Sequence, residues 1–376
     1  MAIRTISAAE LHRKMDSGES LFILDVRNPE EYQDWKIEGN QLRSINIPYF
    51  DFLDDNDALY ADLPKDTEII TVCAKGGSAQ MVAELLDQRG YDVSVLEGGM
   101  LAWSQFYVPV TIVDDENLKL IQFNRLAKGC LSYMVISDGK ALVVDPSRHL
   151  DEYVRVAEQE GAQIEHIMDT HLHADHITGG PELAQKTGAT YYISASEMQG
   201  SDRPYEPLEK HSVIQFGQVN VKVLAIPTPG HTPGSMSFLV NDQFLLSGDT
   251  IFVGGLGRPD LGGKAREWAQ ALYDTVFRTI AQLSDDVLVL PAHYADIQEI
   301  NAAGYVGETL GEIRRKNEIM RTEDRETFTE TVANSVGATP PNYEDIVSIN
   351  RGVLSVSPEK ATELEIGPNR CAIHHT

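Results

Sequence analysis

The chain has 376 residues, with 57 Asp and Glu against 31 Lys and Arg, and its formal net charge is −26. At roughly 100–200 residues per domain, this length predicts two domains, each able to bury a core. The negative charge opposes binding to nucleic-acid phosphates, and the sequence has neither a membrane-length apolar run nor the apolar core of a signal peptide, so we expect a soluble cytoplasmic protein without a nucleic-acid or membrane partner. Ordinary solubility is the favoured explanation of this acidity, and life at raised salt is the alternative.

Residues 1–108 show the alternation of strands and helices that is typical of a parallel α/β domain. A capping box predicts a helix over Ser7–Met15, and a strand is predicted at Leu21–Val26. The next residues, 27–66, are polar and are predicted to be irregular. The β-branched run Thr67–Val72 predicts a buried parallel strand, and after a glycine-containing loop and an amphipathic helix another strand is predicted at Val93–Leu96.

From residue 118 the pattern changes to many short β-branched runs. We expect residues 109–117 to be an extended linker, residues 118–321 to form a second domain, and residues 322–376 to be a C-terminal extension packed on it. Strands in excess, with helices among them, favour an αβ/βα sandwich of two sheets, so the predicted fold class is α/β plus α+β. The predicted strands are Leu118–Phe123, Tyr133–Ser137, Ala141–Val144, Ile164–Met168, Tyr191–Ile193, Val219–Ile226, Met236–Val240, Gln243–Leu246 and Val287–Leu290, and the predicted helices are Leu150–Glu160 and Arg266–Gln282.

The most specific signal in the sequence is a cluster of potential metal ligands. Residues 171–176 read His-Leu-His-Ala-Asp-His and follow a predicted strand. Because alternate residues of an extended loop point the same way, this loop can supply ligands to two neighbouring positions. Further candidates each come just after a predicted strand, where a stiff sheet would hold them in place: they are His231, Asp249 and His293.

This constellation resembles the metallo-β-lactamase superfamily over about residues 118–321. The resemblance implies an αβ/βα fold and two adjoining metal positions. It implies one site from His171, His173, His231 and Asp249, and a second from Asp175, His176, His293 and the bridging Asp249.

Two branches of the superfamily remain as alternatives. Binuclear thioester hydrolases similar to glyoxalase II use both sites, whereas persulfide dioxygenases hold one iron on the residues that match His171, His231 and Asp249. In that second branch His173, Asp175, His176 and His293 support the ligands without binding iron. Residues 257–260, Gly-Arg-Pro-Asp, resemble the Gly-Arg-Thr-Asp of the dioxygenases, which makes Arg258 and Asp260 candidate site residues, together with Tyr294. The family's Asn-Pro-Arg, which helps to hold glutathione, is replaced here by Asn317-Glu318-Ile319, so the thiol carrier stays open.

The sequence contains few cysteines, so any chemical role would belong to a single cysteine and not to a disulfide framework. The cysteines are Cys73, Cys130 and Cys371, too few and scattered for a disulfide framework, which favours a reducing compartment. We interpret Cys130 and Cys371 as small buried apolar residues. Cys73 differs because it ends a predicted strand and precedes a loop that leads into a helix, where backbone N–H groups lower a thiol pKa. That loop consists of Ala74, Lys75, Gly76, Gly77 and Ser78.

Several short motifs resemble a rhodanese, or sulfurtransferase, domain over about residues 5–107. They are Leu24-Asp-Val-Arg27, Asn28-Pro-Glu-Glu-Tyr32, Ile45-Asn-Ile-Pro48, the Cys73 loop, and Glu97-Gly-Gly99 with Trp103. The resemblance implies that Cys73 forms a persulfide, and Lys75 is the cation that the loop offers.

The two resemblances together predict a persulfide dioxygenase joined to a sulfurtransferase. The expected metal is Fe(II), with zinc as the alternative, and the expected partners are a small-molecule thiol persulfide, dioxygen, and sulfite or thiosulfate. A homo-oligomer stays open. The alternatives are a binuclear zinc thioester hydrolase with a rhodanese domain, and a non-enzymatic persulfide carrier or sensor.

Overall fold

The structure is a computed structural model that describes residues 3–39, 41–54, 56–217, 221–335, 339, 342–369 and 371. The described residues form two compact units. The first contains the residues up to Phe106 together with Arg125–Lys128 and Ile366–Pro368, and the second contains the others. The last five residues of the predicted C-terminal extension, 372–376, lie outside the described residues.

The first unit is built on a parallel five-stranded sheet with the strand order β1-β5-β4-β2-β3. The strands β2 and β4 are buried along their whole length, as their continuous apolar sequence predicts. The helix predicted from the capping box is present, because the Ser7 side chain accepts the Glu10 N–H. The elements are β1 (Arg4–Ile6), α1 (Ala8–Asp16), β2 (Leu21–Asp25), α2 (Pro29–Asp34), β3 (Leu42–Asn46), two 3₁₀ helices (Tyr49–Asp54 and Asp57–Tyr60), β4 (Ile69–Val72), α3 (Gly77–Gln88), β5 (Val93–Leu96) and α4 (Gly99–Ser104).

The prediction that residues 27–66 are irregular is wrong. The segment contains α2, β3 and the two 3₁₀ helices. Strand β3 is an edge strand with mixed polarity, Leu-Arg-Ser-Ile-Asn, and no apolar period marks it. Its pairing with β2 therefore decides its conformation.

The second unit contains two mixed sheets, as the sequence predicts. Their strand orders are β12-β11-β10-β9-β8-β7-β6 and β13-β14-β15-β16-β17-β18. The strands are β6 (Val108–Asp114), β7 (Lys119–Arg125), β8 (Cys130–Ser137), β9 (Lys140–Val144), β10 (Gln163–Met168), β11 (Thr190–Ile193), β12 (Glu206–Pro207), β13 (Val213–Phe216), β14 (Val221–Pro227), β15 (Met236–Val240), β16 (Phe244–Gly248), β17 (Leu288–Pro291) and β18 (Glu308–Thr309).

An apolar core joins residues of both sheets in this unit. Tyr133 and Leu142 from one sheet lie in the same buried cluster as Phe238, Leu246 and Leu290 from the other. The helices are α5 (Leu150–Gln159), α6 (Gly180–Thr187), α7 (Ala265–Asp274), α8 (Leu310–Lys316), α9 (Arg325–Asn334), α10 (Tyr343–Asn350) and α11 (Pro358–Leu364), with a π-helical turn at Thr275–Thr279 and 3₁₀ turns at Leu208–Lys210, Ile280–Gln282, Ile297–Glu299 and Ile319–Arg321.

Residues 109–117, predicted to be a linker, instead contribute a strand. Strand β6 pairs antiparallel with β7, from Val108 opposite Asn124 to Asp114 opposite Lys119. An extended β-branched segment looks the same in sequence whether or not it has a neighbour, and only the pairing makes it an edge strand.

The C-terminal residues form helices that pack on the second unit. Phe328 and Val332 of α9 share a buried cluster with Leu272 of α7. Ile346 and Ile349 of α10 share another with Ile177 and with Leu364 of α11. Within the described ranges, no helix combines the length and apolar character needed to cross a lipid bilayer.

Candidate metal centre and cysteine site

The ligand candidates of the second unit lie at the carboxyl ends of its strands. Loop 169–178 follows β10, and the other three candidates follow β14, β16 and β17. Each side chain is buried to 3% exposure or less. The candidates are His171, His173, Asp175, His176, His231, Asp249 and His293.

Three of these side chains aim one ligand atom each at a common point. Asp249 Oδ2 lies 3.7 Å from His171 Nε2 and 3.5 Å from His231 Nε2. None of the three atoms has a hydrogen-bond partner. Buried polar atoms are normally paired, and three unpaired ones that converge fit a metal ion. Two imidazoles and a carboxylate are the donor set that suits a non-haem iron, and they also suit zinc.

The remaining polar atoms of this trio are held by the protein. His231 Nδ1 donates to the Arg258 carbonyl oxygen at 2.9 Å, which leaves Nε2 as the ligand atom. His171 Nδ1 lies 2.9 Å from the Thr170 hydroxyl, which itself donates to Asp145. These bonds set the tautomer of each ring and direct its free nitrogen to the same place.

Asp175, His176 and His293 form a different arrangement, because their atoms pair with one another. His293 Nδ1 contacts Asp249 Oδ1 at 2.6 Å, and its Nε2 contacts Asp175 Oδ2 at 3.0 Å. His176 Nδ1 contacts Asp175 Oδ1 at 3.0 Å. Carboxylates therefore face both ring nitrogens of His293, whereas the trio has unpaired ligand atoms.

The charged groups of this network shift one another's pKa values strongly. Burial alone would lower the pKa of His176, but the Asp175 carboxylate raises it to about 10. Burial likewise opposes the charged form of His293, yet Asp249 and Asp175 raise its pKa well above the usual value. Burial would raise the pKa of the Asp249 carboxyl group, but His293 and His171 hold that pKa well below its ordinary value. These directions favour carboxylates paired with imidazolium groups in the network.

His173 lies beside the trio: its ring centroid is 4.3 Å from that of His171, and its Nδ1 also has no hydrogen-bond partner. Its Nε2 is 3.1 Å from Asp145 Oδ1, and it groups with Asp145 and Asp169. Both aspartates were missed in the sequence analysis. Each comes directly after a strand, β9 or β10, which is the signal that marked the other candidates.

Two cysteines that we interpreted as apolar residues lie among the charged side chains. The Cys130 thiol is 3.2 Å from Asp175 Oδ2 and groups with His176 and His293. The Cys371 sulfur lies within 4.8 Å of ligand atoms of Asp249 and His293. Both cysteines are buried, as predicted, but charged side chains surround them as well as apolar ones. Cys130 is placed by a backbone bridge to His293, a pairing that no sequence spacing reveals.

The buried Arg258 pairs with the partly exposed Asp260 next to His231. Arg258 Nε donates to Asp260 Oδ1 at 2.7 Å and Nη2 donates to Oδ2 at 2.6 Å, while the Arg258 carbonyl holds His231. The third candidate of this set, Tyr294, donates its hydroxyl to Asn124 at 3.1 Å. The pair thus shapes the loop that orients His231.

Replacing Asp260 by Asn should lower the free energy of unfolding by about 1–3 kcal/mol, because it removes the carboxylate that pairs with the fully buried Arg258 guanidinium. Urea unfolding of the metal-free chain measures this loss. Lys264→Ala, which breaks an exposed pair with Glu267, is the matched control and should have little effect. An Asp260→Asn chain as stable as the control would contradict a structural role for the pair.

In the first unit, Cys73 follows β4 at the start of the predicted loop. It is 6% exposed, and the Gly76 N–H donates to its Sγ at 3.1 Å. Gly76 has a φ of 99°, in the left-handed region that favours glycine, and immediately precedes α3. Ala74, Lys75 and Gly77 are exposed, and Ser78 is half-buried. The Gly76 N–H just before α3 thus points at the sulfur, and a donor in that position can bind an anionic group.

Comparisons with known proteins match each unit to a family. The family described as the metallo-beta-lactamase superfamily matches residues 126–293, and the rhodanese-like domain family matches residues 7–106. The structure of a metallo-beta-lactamase from Staphylococcus aureus is similar, with 30% identity and a TM-score of 0.58 over 64% of this chain and 74% of that one.

Two curated relatives point to different reactions. The mitochondrial persulfide dioxygenase ETHE1 of Bos taurus is 29% identical over 171 residues, which are 44% of this chain and 65% of that protein. A hydroxyacylglutathione hydrolase of a Polaromonas species is 33% identical over 160 residues, which are 41% of this chain and 57% of that protein.

Proposed function

Because the chain belongs to the metallo-beta-lactamase superfamily and carries a rhodanese-like domain, we propose that it oxidises a small thiol persulfide with dioxygen and transfers sulfur through Cys73. The net reaction is RSSH + O₂ + H₂O → RSH + SO₃²⁻ + 2 H⁺. The outer sulfur loses four electrons, dioxygen accepts them, and the S–S bond breaks to release the thiol.

One observation carries the choice of a single metal ion. The unpaired atoms His171 Nε2, His231 Nε2 and Asp249 Oδ2 converge. The side chains that would hold a second ion are already paired with carboxylates. A second ion would have to displace these contacts, whereas the first would satisfy atoms that otherwise lack partners.

The protein's own residues would position this chemistry. His171, His231 and Asp249 would hold an Fe(II) ion, which would supply redox chemistry with dioxygen. His293 holds Asp249 through Oδ1, so that Oδ2 faces the histidines. The Arg258 carbonyl and the Thr170 hydroxyl hold the rings of His231 and His171. All of these groups are buried, which strengthens their electrostatic contacts.

Sulfur transfer would use the thiolate of Cys73. It attacks the outer sulfur of a persulfide, the old S–S bond breaks, and RS⁻ leaves while Cys73 becomes a persulfide. The bound sulfur can then pass to an acceptor thiol that feeds the metal site, or to sulfite, giving thiosulfate and the free Cys73 thiol. The Gly76 N–H would stabilise the anionic sulfur in either direction.

A binuclear zinc thioester hydrolase is the second candidate. It is favoured by the similarity to a hydroxyacylglutathione hydrolase and by the presence of Asp175, His176 and His293. In that case the hydrogen-bonded network would open to accept a second ion.

Oxygen-electrode measurements on Fe(II)-loaded protein separate the two candidates. Glutathione, coenzyme A and other small-thiol persulfides are supplied in turn, sulfite is quantified, and a zinc-loaded sample is assayed with thioesters. Oxygen uptake with matching sulfite supports the dioxygenase and identifies its carrier thiol. Thioester hydrolysis with two bound zinc ions and no oxygen uptake would instead establish the hydrolase.

A further inference from the structure

The loop that carries the first four ligand candidates is buried and irregular. Residues 171–180 are all buried, and residues 171–177 belong to no helix or strand. The backbone N–H and C=O groups of such a loop cannot bond to water and need partners from elsewhere in the protein. Two carboxylates supply some of these hydrogen-bond partners. Glu197 accepts the Leu172 N–H at 3.2 Å, and Glu365 accepts the Ile177 N–H at 2.7 Å.

Asn350, the last residue of α10, makes the largest set of these contacts. Its Nδ2 donates to the carbonyl oxygens of His173 and His176, at 2.9 Å each. Its Oδ1 accepts the Thr178 N–H at 3.0 Å. The side chain is 1% exposed. One amide thus uses both donor hydrogens and its acceptor on three residues of a single loop.

These contacts constrain the direction of the His173 and His176 side chains, which lie next to the proposed metal site. His173 and His176 lie on either side of Asp175, and fixing their carbonyls fixes the peptide planes from which the side chains project. Because Asn350 lies 177 residues from His173 along the chain, this contact depends on the docking of α10. The helix is anchored by Ile346 and Ile349, which pack against Ile177 of the same loop.

We infer that Asn350 is a positioning residue, which holds loop 171–178 in the conformation that binds the metal ion. Its side-chain hydrogen bonds go to backbone atoms of the loop, so it would act through that backbone. The inference depends on the proposed metal site but not on the reaction that the site performs.

Asn350→Asp tests the inference with little change of size. The carboxylate keeps an acceptor for the Thr178 N–H but places a second acceptor against two carbonyls. Because outer residues that orient ligands typically change metal affinity by about 10–100-fold, we expect Co²⁺ to bind more weakly by that factor. We also expect an altered visible spectrum of the bound Co²⁺. Both are measured on the full chain, with a competing chelator, well below the unfolding temperature of the metal-free variant.

Ser348→Ala is the matched control, because Ser348 lies in the same helix and donates to the Glu344 carbonyl instead of the loop. It should bind Co²⁺ as the unchanged chain does. A folded Asn350→Asp chain with unchanged affinity and spectrum would overturn the inference. Asn350→Ser is the second variant, and it should also weaken binding. If both metal-free variants were unfolded, Asn350 would support the fold as a whole, and a positioning role would be refuted.

The proposed site is tested separately by the same titration. If the unchanged chain bound no Co²⁺, or bound it equally well after His171→Ala, the metal site itself would be wrong. Binding that depends on His171 but not on Asn350 would reject only the positioning role.

Discussion

Replacing Cys73 by Ser is expected to lower sulfur transfer by at least about 10³-fold, while oxygen uptake with a supplied persulfide stays unchanged. A serine hydroxyl is deprotonated far less readily than a thiol, so it cannot act as the sulfur nucleophile. It can still accept the Gly76 N–H that now reaches Sγ, so the loop should keep its shape. The effect therefore reports on the sulfur atom rather than on the fold.

The measurement is the rate of transfer from a persulfide donor to a thiol or to sulfite, compared with oxygen uptake by the same sample. Thr71→Ser is the matched control, because Thr71 lies in the strand that ends at Cys73 and a serine can keep its hydroxyl bonds to Ala79 and Ser94. Loss of both activities in Cys73→Ser would refute independent sites. Undiminished transfer would remove Cys73 from the mechanism.

Replacing His171 by Ala is expected to empty the metal site and to lower oxygen uptake by more than about 10³-fold. The substitution removes one of three converging ligand atoms and leaves an incomplete set of His231 and Asp249. Metal content by elemental analysis and oxygen uptake measure the result. His211→Ala removes a histidine that pairs with Glu206 near the surface, and it should change neither quantity. A fully metallated and active His171→Ala chain would overturn the ligand assignment.

His176→Ala gives the contrasting result that separates one ion from two. If His176 only supports the network around Asp175, the chain should still bind one iron, with affinity weaker by about 10–100-fold. If His176 is instead a ligand of a second ion, the unchanged chain should bind two ions. The His176→Ala chain should then bind one ion and lose activity. Metal stoichiometry before and after the substitution therefore decides between the dioxygenase and the hydrolase.

Much of the fold follows from local sequence. The buried strands β4 and β5 consist mostly of β-branched and apolar residues, and Ser7 caps the helix that its capping box predicts. Such features depend on residues close to one another in the chain. The edge strands β3 and β6 cannot be predicted from the local sequence, because their conformation depends on pairing with a neighbouring strand.

In the candidate site, too, some features follow from the sequence and others depend on the tertiary structure. The sequence by itself determined which residues are ligand candidates, since histidines and aspartates that directly follow strands are presented at the ends of a stiff sheet. Only the tertiary structure decided which of them converge with unpaired atoms, which pair with one another, and that Cys130 and Asn350 contact this region. The reason is physical: a hydrogen bond depends on distances of about 3 Å between atoms, and packing sets those distances between residues far apart in the chain.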